Sequence, residues 1–213
     1  MNSKRFWSTA RICAVLALAA ATAALAHDPP SPDHFRGIIN DYPVSTDSTG
    51  ATTGPWELRG PWSLKLNSRS GTADFSAALT MLFSDLAAGT GATTDTRRQH
   101  THHLTMTGAT AIENPPQTDC PAGITPYPTY TWQLEVTGMA SVTGNGGSPF
   151  GAPVPLQVCI GGGPDIQNSN VTLVFTKLAS GEPSPATYHF GAQAIHGVVR
   201  FVHTPDEHDS GRH

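Results

Sequence analysis

The sequence is short of charge and shortest of lysine: charged residues make up 13% of its 213 positions, and lysine occurs only at Lys4, Lys65 and Lys177. Affinity for a phosphate backbone or an anionic lipid surface comes from clustered Lys and Arg, so nucleic acid and membrane surfaces are poor candidates as partners. Cysteine is scarce as well, three residues with no CxxC spacing, which argues against a thiolate metal site or a redox motif. No GxSxG elbow is present, so Ser/His/Asp hydrolysis has no anchor. Gly161-Gly162-Gly163 lacks the strand, helix and lysine context of a phosphate loop and reads as a turn. Beyond the first 26 residues no apolar run approaches the about 20 residues that a membrane-crossing helix needs.

Those first residues, MNSKRFWSTARICAVLALAAATAALA, place Lys4, Arg5 and Arg11 before a short Ala/Leu-rich run that ends on Ala24-Leu25-Ala26. This is the pattern of a secretory signal peptide over 1–26, and it predicts a periplasmic or secreted bacterial protein beginning at His27. Removing 26 of the 213 residues leaves 187, a length that suits one domain. Three of the twelve basic residues leave with the leader, so nine face sixteen acidic ones, a balance of −7 with histidines neutral. Cys13 leaves too, and Cys120 and Cys159 remain as an even pair in an oxidising compartment, where a disulfide is expected. Closing that loop is worth roughly 3 to 4 kcal/mol in the chain-entropy picture.

Residues 27–35 are Pro-rich and polar and predict a flexible arm, and 204–213 a flexible tail. Between them, over 36–203, the dominant signal has period two, the spacing that puts alternate side chains of a strand on one face. Ala73, Phe75, Ala77, Leu79, Met81 and Phe83 share parity, as do Trp56, Leu58, Trp62, Leu64 and Leu66, and again Tyr130, Trp132, Leu134 and Val136. LQVCI and NVTLVFT repeat the pattern, and turn-forming clusters such as Asn67-Ser68-Arg69-Ser70-Gly71 and Gly144-Asn145-Gly146-Gly147 separate the runs. No segment carries a strong helical period. Eight or nine short strands without intervening helices predict an all-β protein with a single antiparallel β-barrel, or else a β-sandwich. Closure hides sheet edges completely, which favours the barrel.

Against three lysines stand ten histidines. The informative ones are His100-Thr101-His102-His103 and the pair His189 and His196. Residues two apart on a strand point the same way and lie roughly 6.5 to 7 Å apart, so His100 and His102 can converge on one ion. Both share parity with Leu104 and Met106, which turns them inward, while His103 points to the opposite face as an outer-shell or alternative ligand. A strand HxH supplies two ligands, and a neighbouring element must bring a third. His189 and His196 are the expected donors, in a C-terminal apolar segment expected to run through the sheet. Their odd separation puts them on opposite faces unless Gly191 or Gly197 supplies a bulge. Glu113 and Asp85 are further carboxylate candidates. Neutral imidazoles without thiolates suit zinc, copper or iron. An N-terminal His27, with His34 nearby, would offer copper an amine and a ring nitrogen together.

Three functions compete at this level. A histidine-bound transition metal with chemistry on a small molecule is the first. A carrier lined by Trp56, Trp62, Tyr130 and Trp132 that takes a small apolar ligand is the second. A structural protein of the envelope, without a ligand, is the third. Asn170-Val171-Thr172 matches a glycosylation sequon but falls in a predicted strand. The combination GPWSLKL, ADFSAALTM, HTHH, VTGNG and HFGAQAIHGVV resembles a group of uncharacterised exported bacterial β-rich proteins, over most of residues 36 to 201. The resemblance implies export and carries no activity.

Overall fold

A computed structural model describes residues 32–46, 52–83, 99–116, 119–121, 130–144, 149–162 and 166–204. The leader, most of the N-terminal arm with His27, Asp85, residues 145–148 and the tail from 205 onward lie outside the described residues. The strands are β1 (His34–Asp41), β2 (Ser45–Thr46), β3 (Thr52–Thr53), β4 (Trp56–Asn67), β5 (Thr72–Phe83), β6 (Gln99–Glu113), β7 (Trp132–Gly144), β8 (Val154–Gly162), β9 (Asn170–Phe175) and β10 (Ile195–His203). One short helix, α1 (Pro185–Phe190), interrupts the connection from β9 to β10.

Eight of these strands form a closed antiparallel barrel in the order β1-β10-β9-β8-β7-β6-β5-β4, and β1 closes the ring by pairing with both β10 and β4. The sandwich alternative is thereby overturned. An up-and-down meander leaves no unpaired edge, which a chain without sheet-covering helices requires. β2 and β3 make a separate two-stranded ribbon inside the β1–β4 connection. The arm is shorter than its composition suggests: His34 and Phe35 already pair with β10 and β4, and the Asp33 N–H donates to the His203 carbonyl at 3.0 Å.

The alternation read from the sequence lines the interior. Leu58, Trp62, Leu64 and Leu66 of β4 and Ala73, Phe75, Ala77, Leu79 and Met81 of β5 are buried, and every strand of the barrel contributes to the one apolar core. An eight-stranded barrel is just wide enough for side chains to fill. Outward positions such as Arg36, Lys65, Ser76, His103 and Thr105 are exposed, the reverse of the lipid-facing alternation of a membrane-crossing barrel. No helix among the described residues is long and apolar enough to cross a membrane.

In β6 the register slips by one residue against both neighbours, between Met106 and Ala109, and Gly108 takes φ 61° there while its N–H donates to Asp74 Oδ1 at 2.8 Å. This bulge keeps Leu104 and Met106 inward before it and Ala109 inward after it. The turn predicted at 67–71 is present, with the Ser70 N–H on the Asn67 carbonyl at 3.2 Å and Gly71 at φ 62°.

Part of the outer face is covered. Cys120 is joined to Cys159 of β8 across a sequence separation of 39. Under this cover Gln133, Glu135, Gln157 and Thr172 are buried although they point away from the core. Gln157 Nε2 donates to Glu135 Oε1 at 2.7 Å and also to the Asp119 carbonyl, so the buried carboxylate has a donor.

Candidate metal centre

His100 and His102 lie at the start of β6, opposite Met81 and Leu79 of β5, and His102 also pairs with Gly144 at the end of β7. His102 faces the interior and is 4% exposed, His100 is half-buried, and His103 points outward into solvent. A Cβ on Gly144 would come within 3.3 Å of His102 Nδ1, so the absence of a side chain there leaves room for the imidazole.

The third imidazole comes from α1. Ser184 caps this helix in extended conformation, its hydroxyl accepting from the Ala186 N–H at 3.3 Å, with Pro185 in the first turn. Gly191 ends it at φ 92°, where its N–H donates to the Thr187 carbonyl at 3.1 Å. Ala186 and Phe190, four apart, are fully buried and anchor one face. Phe190 stacks on Phe175 at the end of β9, with ring centroids 4.8 Å apart and planes 14° apart. The anchored helix carries His189 to the same end of the barrel as the start of β6.

There the three rings meet. His189 Nε2 lies 3.1 Å from His100 Nε2 and 2.8 Å from His102 Nε2, and each of the three residues offers a ligand nitrogen within 4.8 Å of the others. A neutral imidazole nitrogen has either one hydrogen or one lone pair. His189 Nε2 can therefore satisfy one of its two close neighbours and not both, whichever tautomer it takes. Three lone pairs directed at one cation satisfy all three. Bonds of about 2.0–2.1 Å to a tetrahedral ion set ligand nitrogens about 3.3 Å apart, so the two close contacts need open by about half an ångström or less while the wider separation, within 4.8 Å, closes.

The electrostatics agree with neutral rings. Burial pushes His102 down to about 3, aided by the neighbouring His189 and His100 and weakly opposed by a hydrogen bond with the Thr143 backbone. Burial likewise takes His189 down to about 4, with His100 adding to the effect. Around the cluster stand aromatic rings: Trp56 edge-on to His100 at 5.6 Å, Phe150 to His189 at 6.0 Å, and Phe190 to both His102 and His189 at 5.0 and 4.9 Å. Among the described residues no carboxylate or thiolate joins the group.

The other sequence candidates sit elsewhere. His196, expected as a third or fourth ligand, is exposed on the outer side of β10, where its backbone N–H and Nδ1 both contact Asp41 Oδ2, at 2.7 and 2.9 Å. The hydrogen bond to Asp41 raises the His196 pKa; in return, and against the effect of its own burial, Asp41 is held low by His196 and by the Tyr42 N–H. The reason for the displacement is local. The segment through 189 and 196 is a helix followed by a strand, with Gly191 as the helix cap, and no bulge at Gly191 or Gly197 brings both rings to one face. His103 stands across from Ala78 and Thr143 on the outer surface. Glu113 ends β6, at the opposite end of the strand from His100. Of the four aromatics considered as a carrier lining, Trp62 is core and Tyr130 packs against Gly161 of β8 at the pocket beside the disulfide. Trp56 and Trp132 pack against the core from positions that begin their strands.

The sequence pattern does not mark Phe150 or Phe190, and the apolar C-terminal segment of His189 and His196, expected to run through the sheet, instead begins with the helix Pro185–Phe190. The missed signal is Ser184-Pro185 followed by Gly191, an N-cap, a first-turn proline and a C-terminal glycine around six residues too short to show a helical period. Compared with known proteins, the chain matches no family model, no curated protein and no solved structure.

Proposed function

We propose that this chain is an exported β-barrel protein that holds one first-row transition ion, of the zinc, copper or iron type, through His100, His102 and His189. The observation that carries the proposal is the meeting of three imidazole nitrogens at 2.8 and 3.1 Å around His189 Nε2, a contact that proton sharing alone cannot satisfy. Rings that stay neutral far below pH 7 need release no proton to bind a metal. Two of them come from one strand and the third from a capped and anchored helix, so the ligands are set by folding.

Three protein ligands are the number found where an ion keeps an open position, whereas closed structural sites use four. In that position the bound ion supplies Lewis acidity to a small molecule. The chain contributes the apolar wall of Trp56, Phe150 and Phe190, which limits water and fixes the orientation of the imidazoles. Export is supported by the Cys120–Cys159 disulfide, which suits an oxidising compartment, and by the leader pattern of residues 1–26.

Isothermal titration of the metal-free chain with zinc tests the reading. One ion per chain is expected, and His102→Ala should weaken it by more than about 100-fold, beyond the 10–100-fold typical of losing an outer-shell partner. Titration without heat, or binding that His102→Ala leaves intact, would overturn it.

A further inference from the structure

Charge is the unfinished part of this site. A divalent ion held by three neutral imidazoles keeps both its positive charges, and an uncompensated charge away from bulk water is costly. Among the described residues no carboxylate belongs to the histidine group. Two carboxylates that begin or end strands at the same end of the barrel are engaged elsewhere: Asp41 with His196 and the Tyr42 N–H, and Glu57 with Arg59 Nη1 at 3.0 Å. Among the described residues, then, none supplies the compensating charge, and a bound anion can.

The surroundings select what kind of anion enters. His102 and Phe190 are buried, whereas His100, His189, Trp56 and Phe150 are half-buried, so two imidazoles and two aromatic rings form the partly exposed part of the group. The Trp56 and Phe150 rings stand edge-on to the two half-buried imidazoles. A ligand arriving there meets a positive centre at its head and aromatic surface along its flank. Inorganic anions use only the first feature, and neutral apolar molecules only the second.

We propose that the open position takes an organic monocarboxylate, its carboxylate on the ion and its apolar part against Trp56 and Phe150. This rests on the metal reading above.

The chain loaded with cobalt(II), which reports its ligands in the visible spectrum, separates the two claims. Benzoate and acetate should each shift the bands to saturation at one equivalent per chain, while neutral benzamide leaves them unchanged. Benzoate should bind about tenfold more tightly than acetate, the factor expected when about 50 Å² of ring surface leaves water. In cobalt-loaded Phe150→Ala that preference should fall toward one, and Phe150→Leu, which keeps more of the packing, should lower it partly. Cobalt bound but indifferent to both carboxylates would overturn the inference and leave the metal reading standing. Equal affinity for acetate and benzoate would overturn the aromatic contribution, and a matching shift with benzamide would overturn the role of charge. Failure to take up cobalt at all would instead overturn the metal reading itself.

Discussion

His189 Nε2 lies 2.8 Å from His102 Nε2, although 87 residues separate the two in sequence and one stands on a strand while the other stands on a helix. The contact joins the HxH of β6 to the β9–β10 connection, and it makes the position of α1 a condition of the site.

The first prediction concerns that helix. Ser184→Ala removes the side chain that caps α1 and should cost about 1 kcal/mol of stability. Because the ligands on β6 stay in place, zinc affinity should fall while the barrel's far-ultraviolet spectrum is retained. Phe190→Ala, which removes the anchor, should cost about 3–5 kcal/mol and lower affinity further. Parallel denaturant titrations and zinc calorimetry would check both. Unchanged affinity in both variants would show that α1 does not position His189.

A second prediction follows from the lowered histidines. His102 and His189 titrate near 3 and 4 when folded and at 6.5 as model groups. Below pH 6.5 the unfolded chain therefore takes up protons that the folded chain refuses, so the metal-free protein loses stability as pH falls from 6.5 toward 4. The slope is at most about 1.4 kcal/mol per pH unit for each group. Thermal melts between pH 7 and 5 should show the decline, and His102→Leu should flatten it. A melting temperature independent of pH in that window would contradict the burial of these rings.

His196 and Asp41 behave oppositely. The His196 pKa is raised and that of Asp41 lowered, so their pairing stabilises most between the two ordinary values and is lost as pH rises through the folded value of His196. With the His196 side chain 57% exposed, its removal should change stability by less than about 1 kcal/mol. Zinc affinity of His196→Ala should equal that of the parent, measured by the same calorimetry.

The disulfide supports a separate expectation. Its closed loop, across a sequence separation of 39, corresponds to roughly 4 kcal/mol in the chain-entropy picture. Cys120→Ser with Cys159→Ser should lower denaturant stability by an amount of that order while leaving one zinc per chain, since Cys120 and Cys159 are not among the cluster's ligands. A loss of zinc stoichiometry would tie the outer cover to the site.

The barrel was legible in the sequence because burial on one face of a strand writes itself as period two, and β4 and β5 carry that period for a dozen residues each. Closure, which hides every sheet edge, is present in the pairing of β1 with β10 and β4. The inward turn of His102 follows from the same parity. The third histidine was harder, since six helical residues show no period and the apolar content of AQAIHGVV resembles a continuing strand. What separated His189 from His196 was local backbone chemistry, a serine cap and a glycine stop, which apolar content does not register. The bulge at Gly108 was equally silent, because one extra residue in β6 shifts the parity only after the histidines have been placed.

Metal content of the protein purified without an added histidine tag, from wild type, His189→Ala and His196→Ala, tests the central claim most directly. One equivalent of a first-row transition metal in wild type and in His196→Ala, with none above background in His189→Ala, is the predicted result. Metal absent from all three even after reconstitution, or retained equally by all three, would contradict it.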